Sequence, residues 1–158
     1  MRHAKSSWED VGLSDFERPL NDRGRRTAPF MGELMRKKGL EPAIILSSPA
    51  ERAKQTALKV KEASGFSCEL RFDHRIYEAS PHSLLQVVSE IVDSHASAML
   101  VGHNPGVEGF IRFLTGNLQP MPTAALAVLD LNIKKWNGID DGCGELQDIF
   151  RPKDLTPS

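Results

Sequence analysis

Residues 43–52 read AIILSSPAER, a short apolar run followed at once by the signals of a helix start. An apolar run of this length that is rich in Ile is typical of a buried parallel strand. Ser48 and Glu51 have the spacing of a capping box, and Pro49 suits a first helical position. We therefore predict a strand that turns directly into a helix, with Arg52 in the first turn of that helix.

The same order of strand, cap, proline and helix occurs twice more along the chain, at 68–81 and at 96–105. The pattern of apolar and turn-forming residues also predicts a helix at 22–38, a strand at 124–131 and a hairpin within 132–150. This alternation indicates an α/β fold: three layers, with a mostly parallel sheet and helices on both faces. At 158 residues, the chain is expected to form a single domain, 1–158.

Ligands of such sheets bind outside the carboxyl ends of the strands. Arg52, Glu78 and His103 each follow a predicted strand end, and Arg2-His3 would join them if that pair also ends a strand. Two arginines that meet at one point suit an anion with several oxygens, because the guanidinium group stays charged and its fork matches phosphate. The predicted ligand is therefore a phosphoryl group.

The charge balance of the chain excludes some classes of partner. Its 20 basic and 21 acidic residues give a net charge of −1, so we predict neither nucleic acid nor a membrane as a partner. No apolar stretch is long enough for a membrane span or a signal peptide, and we expect a cytoplasmic protein. Cys68 and Cys143 are far apart, and no metal-binding motif or cofactor motif occurs, so we predict no metal and no cofactor.

Four separated motifs carry a family resemblance: RHAKS at 2–6, SSPAERAKQT at 47–56, the glutamate at position 78, and VGHNP at 101–105. In this order they resemble the histidine phosphatase superfamily (branch 1), and within it the small SixA-type phosphohistidine phosphatases. The resemblance implies a phosphoglycerate mutase-like form of the fold. It also implies a metal-independent phosphatase that forms a covalent phosphohistidine.

The same resemblance implies a role for each motif residue. His3 is the expected nucleophile, while Arg2, Arg52 and a cationic His103 are expected to bind the phosphoryl group and stabilise its charge. Glu78 matches the position that protonates the leaving group and later deprotonates the attacking water.

Little more than a turn separates Glu78 from the helix at Pro81, so the sequence has no insertion to cover the site. Trp8 and Phe16 fall in a predicted loop and could cover the mouth of the site, although an aromatic side chain in a loop is more often a packing anchor. An open site suits a phosphorylated protein, such as a histidine-phosphorylated signalling or phosphotransfer domain. The alternatives are a small-molecule phosphomonoesterase or mutase-like enzyme of the same superfamily, and a phosphoprotein-binding module without turnover. A metal-dependent hydrolase is disfavoured because two nearby arginines would repel a divalent cation.

The amino-terminal segment departs from the family pattern. In the resembling proteins an apolar strand runs directly into the Arg-His pair, whereas here only Met1 precedes Arg2. We therefore expect the domain to lack part of its first strand, and the native protein to carry several more apolar residues ahead of Met1.

Overall fold

The computed structural model describes residues 1–155. The helices are α1 (Asp22–Lys37), α2 (Glu51–Ser64), α3 (Pro81–Ser89), α4 (Gly106–Thr115) and α5 (Pro152–Leu155). The strands are β1 (Ile44–Ser47), β2 (Glu69–Phe72), β3 (Ala98–Val101), β4 (Leu126–Leu131) and β5 (Gly144–Phe150). Among residues 1–155, no helix is both long and apolar enough to cross a membrane.

The sheet is built around β1, which pairs in parallel with β2 on one side and with β3 on the other. β4 and β5 form an antiparallel pair. The segment Met1–His3 lies between β3 and β4: Arg2 forms a parallel bridge with Gly102, and its backbone N–H donates to Ala125 O at 3.1 Å. Arg2 therefore forms an isolated bridge between the β1–β3 sheet and the β4–β5 pair, rather than the end of a full strand.

Side chains of β1 alternate between the two faces of the sheet, as the strand geometry requires. Ile45 belongs to the core formed with α1 and α2, whereas Ile44 and Leu46 belong to the core formed with α3. α4 packs against α3 in that second core through Phe110 and Leu114. The predicted three-layer arrangement, with helices on both faces of a mostly parallel sheet, is thus confirmed.

A cavity of about 660 Å³ lies between β3 and β4. Met1 lies between this cavity and the carboxyl edge of the sheet. Ala98–Leu100 and Leu126–Leu131 form its two long walls. Met1 is buried, and its amino nitrogen donates to Leu100 O at 2.7 Å. Burial lowers the pKa of this amino group to about 5. We call this space the inter-strand slot.

Two local predictions were wrong. Ser48 and Glu51 do not form a capping box: α2 begins at Glu51 rather than at Pro49, and Glu51 Oε1 accepts from Gln55 Nε2 at 3.0 Å. Ser48 lies ahead of the helix, where its Oγ accepts from Ala50 N and bonds to His103 Nε2.

The predicted hairpin within 132–150 pairs β5 with β4 instead of folding on itself, because β4 supplies the apolar partner strand. Prediction of α1 was correct, although Pro29 lies inside it, and Asn21 caps it through a bond from Gly24 N. The chain after β5 contains α5, and positions 156–158 lie outside the described residues.

Candidate active site

The structure brings four of the predicted residues together at the carboxyl edge of the sheet. The imidazole rings of His3 and His103 lie 5.1 Å apart between centroids. The charges of Arg2 and Arg52 are close enough to lower the pKa of both rings. His3, Arg52 and His103 are buried and Arg2 is half-buried, so the group forms a pocket of low solvent exposure.

His3 has one ring nitrogen engaged and the other without a recorded hydrogen bond. Its Nδ1 lies 2.7 Å from Ala4 O, and since a carbonyl oxygen only accepts, Nδ1 carries the hydrogen. Nε2 then has the lone pair. Burial, followed by the charges of Arg52 and Arg2, lowers the pKa of His3 to about 4, so the ring is neutral at neutral pH. A neutral imidazole with a free Nε2 is suited to act as a nucleophile.

The segment that carries His3 is held by both helices on its side of the sheet. Ala4 N donates to Thr56 Oγ1 of α2 at 2.9 Å. Gly24 of α1 packs so closely that a Cβ atom there would lie 2.2 Å from Lys5 O. Gln55, which precedes Thr56 in the second motif, also accepts a backbone hydrogen bond, from Leu20 N at 2.9 Å. The Gln-Thr end of this motif therefore helps to support the site.

His103 is held by Ser48, whose Oγ lies 2.8 Å from Nε2 of the ring. Ser48 Oγ already accepts from Ala50 N, which leaves its hydrogen available to donate to Nε2. We assign the ring hydrogen of neutral His103 to Nδ1 on this basis. Burial, followed by the interactions with the His3 ring and the Arg52 charge, lowers the pKa of His103 to about 3. The ring is therefore neutral in the free protein, and the expected cationic form requires a bound anion to raise this pKa.

Three buried side-chain nitrogens in residues 1–155 have no hydrogen-bond partner: Arg2 Nε, Arg52 Nε and His103 Nδ1. All three belong to predicted site residues from separate parts of the chain. A buried N–H group without a partner is unfavourable, and most buried polar groups in proteins are paired. Unpaired donors grouped around one imidazole therefore indicate a site for an anionic ligand.

Two residues that the sequence analysis missed complete the charged part of the site. Arg18 is buried, donates from Nη1 to Ser6 Oγ at 2.7 Å, and contributes to the lowered pKa of His3. Asp15 accepts at Oδ1 from Arg18 Nη2 and at Oδ2 from Arg52 Nη2. Both residues fall in a stretch without helical or strand periodicity, where no local signal separates a site residue from a solvated one.

Aromatic side chains line the wall beside His103. The Tyr77 ring meets His103 edge to face at 5.5 Å, and Phe16 meets Tyr77 in the same way at 5.0 Å. Tyr77 Oη donates to Asp15 Oδ2 at 2.6 Å. Trp8 stacks on the Arg18 guanidinium group at 3.5 Å and remains 71% exposed. Trp8 and Phe16 thus lie at the rim of the site, whereas the sequence favoured packing anchors at these positions.

Residues 1–84 match the family model of the histidine phosphatase superfamily (branch 1). The chain belongs to this superfamily. Its known members include a phosphatase assigned as the phosphohistidine phosphatase SixA of Agrobacterium tumefaciens, whose structure is 30% identical. The two structures superpose with a TM-score of 0.82, over 96% of this chain and 95% of that chain. This histidine phosphatase thus has the SixA-like, phosphoglycerate mutase-like fold that the motifs implied.

Two further comparisons cover nearly the whole chain. The protein histidine phosphatase SixA in complex with tungstate shares the fold, with a TM-score of 0.84, 22% identity, and coverage of 99% of this chain and 97% of that chain. An uncharacterized protein of Mycobacterium tuberculosis is 29% identical over an alignment of 164 positions that covers 97% of this chain and 100% of the relative. The family likeness therefore extends well beyond the four motifs.

Glu78, the remaining predicted site residue of this histidine phosphatase, lies at the rim rather than among the buried groups. It is exposed, and its backbone has φ 52°, a left-handed conformation that is uncommon for a residue with a side chain. Its carboxylate interacts with the Tyr77 hydroxyl and contributes to raising the Tyr77 pKa to about 12, after burial and the bond to Asp15. Ala79 O is in tight contact with Gly106, where a Cβ atom would lie 2.4 Å away.

The acidic and histidine side chains do not form a metal site in the described part of the chain. Among residues 1–155, no group of three or more His, Cys, Asp or Glu side chains is arranged to hold a metal ion. Arginine and histidine nitrogens dominate the site instead. The chemistry of this donor set favours anions.

Proposed function

We propose that this phosphatase removes the phosphoryl group from a phosphohistidine protein through a covalent phosphohistidine on His3. The observation that carries the proposal is the set of unpaired buried N–H groups on Arg2, Arg52 and His103 beside a neutral histidine. A transferring phosphoryl group has three equatorial oxygens over which charge spreads. Donors that are in place before the reaction stabilise that charge.

The first step is an attack by the lone pair of His3 Nε2 on phosphorus. A new P–N bond forms while the bond from phosphorus to the substrate's histidine nitrogen breaks, and that nitrogen leaves with the electron pair and takes up a proton. In the second step a water oxygen attacks phosphorus and loses a proton, the bond to His3 breaks, and phosphate is released. The bond from Nδ1 to Ala4 O holds the ring in one orientation throughout.

The open rim supports a protein as the substrate. α3 begins at Pro81, three positions after Glu78, so no inserted subdomain stands between the site and solvent on that side. Trp8 projects at the rim with most of its surface accessible. A phosphorylated side chain on the surface of another folded protein reaches such a site more readily than it reaches an enclosed one.

One experiment separates this proposal from its alternatives. Hydrolysis of a phosphohistidine peptide, 3-phosphoglycerate and an aryl phosphate should be measured side by side with the purified protein. We expect the highest kcat/KM for the phosphohistidine peptide. A preference for the small phosphate ester would favour the phosphomonoesterase alternative, and binding of phosphohistidine without turnover of any substrate would favour a binding module.

The covalent intermediate is tested by brief exposure to a radiolabelled phosphodonor. We expect an acid-labile, alkali-stable phosphoryl group on the protein that maps to His3. His3→Ala should lose both label and turnover, whereas the exposed residue His82 provides the control variant His82→Ala, which should retain both. Label retained in the His3→Ala variant would sink the mechanism.

Glu78 is proposed as the group that protonates the leaving atom. The leaving imidazole of a phosphohistidine is a good leaving group once protonated from solvent, so it needs less help than the oxygen of an ester. We expect Glu78→Gln to lower kcat about tenfold to a hundredfold for an aryl phosphate and to change kcat little for a phosphohistidine peptide. Equal losses for both substrates would show that Glu78 does not act through the leaving group.

A further inference from the structure

Asp15 contacts two arginines of the site and the aromatic wall at the same time. Its Oδ1 accepts from Arg18 Nη2 at 3.1 Å and from Arg18 Nε at 3.3 Å. Its Oδ2 accepts from Arg52 Nη2 at 3.0 Å and from Tyr77 Oη at 2.6 Å. Its backbone oxygen accepts from Arg52 Nη1 at 2.7 Å. Three segments that are distant in sequence are therefore joined by one residue of a short turn.

These bonds occupy a particular edge of Arg52. Asp15 binds the outer edge of the guanidinium group, formed by Nη1 and Nη2, and leaves Nε buried without a partner. A guanidinium group carries five N–H donors in a fixed fork, so the Nε edge retains donors for a second anion. Asp15 thus occupies the Nη1 and Nη2 edge of Arg52, whereas the Nε edge, here called the inner edge, stays available for a ligand.

Asp15 also supplies negative charge that offsets the positive charges of the site. Arg2, Arg18 and Arg52 all lower the pKa of His3, which places three positive charges around one neutral ring. The Arg18 and Arg52 side chains are only 10% and 7% exposed, and the Asp15 carboxylate forms ion pairs with both. The hydrogen bond from Tyr77, with those from Arg18 and Arg52, lowers the pKa of Asp15 to about 2. The carboxylate therefore remains charged at neutral pH and is no proton donor there.

We propose that Asp15 is a positioning residue that sets the orientation of Arg52 and Arg18, so that the Nε edge of Arg52 faces the phosphoryl group at His3. Because the proposal names a residue that acts through the phosphate-binding arginines, it rests on the proposed function of this site. Asp15 also ties its turn, and with it Phe16, to the rim formed by Tyr77.

A carboxylate beside phosphate-binding arginines has one other physical role. It can compete with the phosphoryl group for the same donors, in which case its removal would strengthen anion binding. The two roles predict opposite signs for the same measurement. The unpaired Nε of Arg52 favours positioning, because a competing carboxylate would occupy the inner edge rather than the outer one.

The test compares tungstate binding, measured by calorimetry, with kcat and KM for an aryl phosphate in a set of variants. We expect Asp15→Asn to weaken tungstate binding by about tenfold or more and to lower kcat as well. Asp15→Glu should recover part of both losses because it restores the carboxylate. The control is Asp10→Asn, which removes a carboxylate from the same loop while its bond from Gly12 N remains possible, and which should change neither quantity.

Unchanged or tighter tungstate binding by folded Asp15→Asn would overturn the proposal. Melting temperatures identify any variant that fails to fold. If Asp15→Asn does fail, Tyr77→Phe removes one bond to Oδ2 and should weaken tungstate binding in the same direction. Because tungstate binding needs no turnover, a wild-type protein that does not hydrolyse phosphohistidine would contradict the proposed function and still leave the comparison between variants as a test of Asp15.

Discussion

The protonation of two buried histidines is decided at the scale of single residues. A histidine in an unfolded chain has a pKa of about 6.5, whereas burial beside arginines lowers the pKa of His3 to about 4 and that of His103 to about 3. Both rings are therefore neutral under ordinary conditions. His3 keeps its nucleophilic lone pair, and the hydrogen of His103 stays on the nitrogen that has no partner.

These lowered pKa values predict how stability depends on pH. Between pH 6.5 and pH 4 the unfolded chain binds protons that the folded chain does not, so the free energy of unfolding decreases as the pH falls through this window. We expect the two histidines together to cause a loss of about 3 to 4 kcal/mol in the free energy of unfolding between pH 7 and pH 5, measured by urea denaturation. The double variant His3→Gln, His103→Gln should show a smaller pH dependence. An unchanged slope would mean that these histidines do not cause it.

Arg52 provides a second test at the residue scale. Loss of one preorganised donor in a buried site typically costs about 2.7 to 4 kcal/mol in the transition state, so Arg52→Ala should lower kcat/KM by roughly a hundredfold to a thousandfold. Arg52→Lys keeps the charge but not the fork, and should recover only part of the activity. Lys61→Ala, a change in the last turn of the same helix, is the control. Wild-type kcat/KM in Arg52→Ala would remove this residue from the site.

At the scale of elements, helices hold the irregular segment that carries the nucleophile. α2 contributes Arg52 from its first turn and Thr56 from its second, and Thr56 Oγ1 accepts from Ala4 N while it donates to Arg52 O at 2.7 Å. The carbonyl oxygen of Ala4 in turn binds His3 Nδ1. One helix therefore positions both a proposed phosphate-binding residue and the support of the proposed nucleophile.

This connection predicts the effect of changing Thr56. Thr56→Val leaves the buried Ala4 N–H without a partner, which should reduce the free energy of unfolding by roughly 1 to 3 kcal/mol. It should also lower kcat, because the carbonyl group that orients His3 is released. Thr56→Ser keeps the hydroxyl group and serves as the matched control. Thermal denaturation and aryl phosphate turnover measure the two effects, and a kcat equal to wild type would show that His3 is oriented by other contacts.

At the scale of the whole molecule, the sheet consists of two hydrogen-bonded parts on either side of the inter-strand slot. Met1–His3 bridges the two parts at the carboxyl edge, where the site lies. The slot is lined by β3, β4 and apolar side chains of α4, with some polar residues among them, and the amino group of Met1 is buried at its end. A pleated sheet interrupted in its middle loses both ladder hydrogen bonds and apolar contacts.

Filling the slot should therefore stabilise the protein. We expect a short segment of Val, Ile and Leu fused ahead of Met1 to pair as a strand between β3 and β4, and to raise the melting temperature by roughly 4 °C or more. The control is a Gly-Ser segment of the same length, which also removes the charged amine from its buried position but leaves the slot unfilled. Equal melting temperatures for the two fusions would show that no strand forms there.

Phosphatase rates of the two fusions test whether the slot affects the site. His3 lies at the end of the segment that would continue the added strand, so a more rigid strand should raise kcat as well as stability. A higher melting temperature with an unchanged rate would show that Ala4, Thr56 and Gly24 already hold His3 in place.

The sequence by itself determined the alternation of strands and helices, the three-layer class, and the convergence of Arg2, His3, Arg52 and His103. These features depend on local signals: apolar runs, caps, prolines and motif order act within a few residues of one another. The same local reasoning was wrong for Ser48, which lies ahead of the helix and contacts a histidine that is 55 positions away.

Only the tertiary structure decided the parts of the site that depend on distant contacts. Asp15 and Arg18 gain their roles from folding, since Asp15 meets Tyr77 across 62 positions of the chain and Arg52 across 37. Glu78 lies at the rim although its motif placed it with the others. Burial depends on the assembled pocket, so the lowered pKa values of the two histidines and the unpaired N–H groups were beyond any pattern in the sequence. Residue types and spacing specify which groups meet, whereas desolvation and long-range hydrogen bonds decide what those groups are able to do.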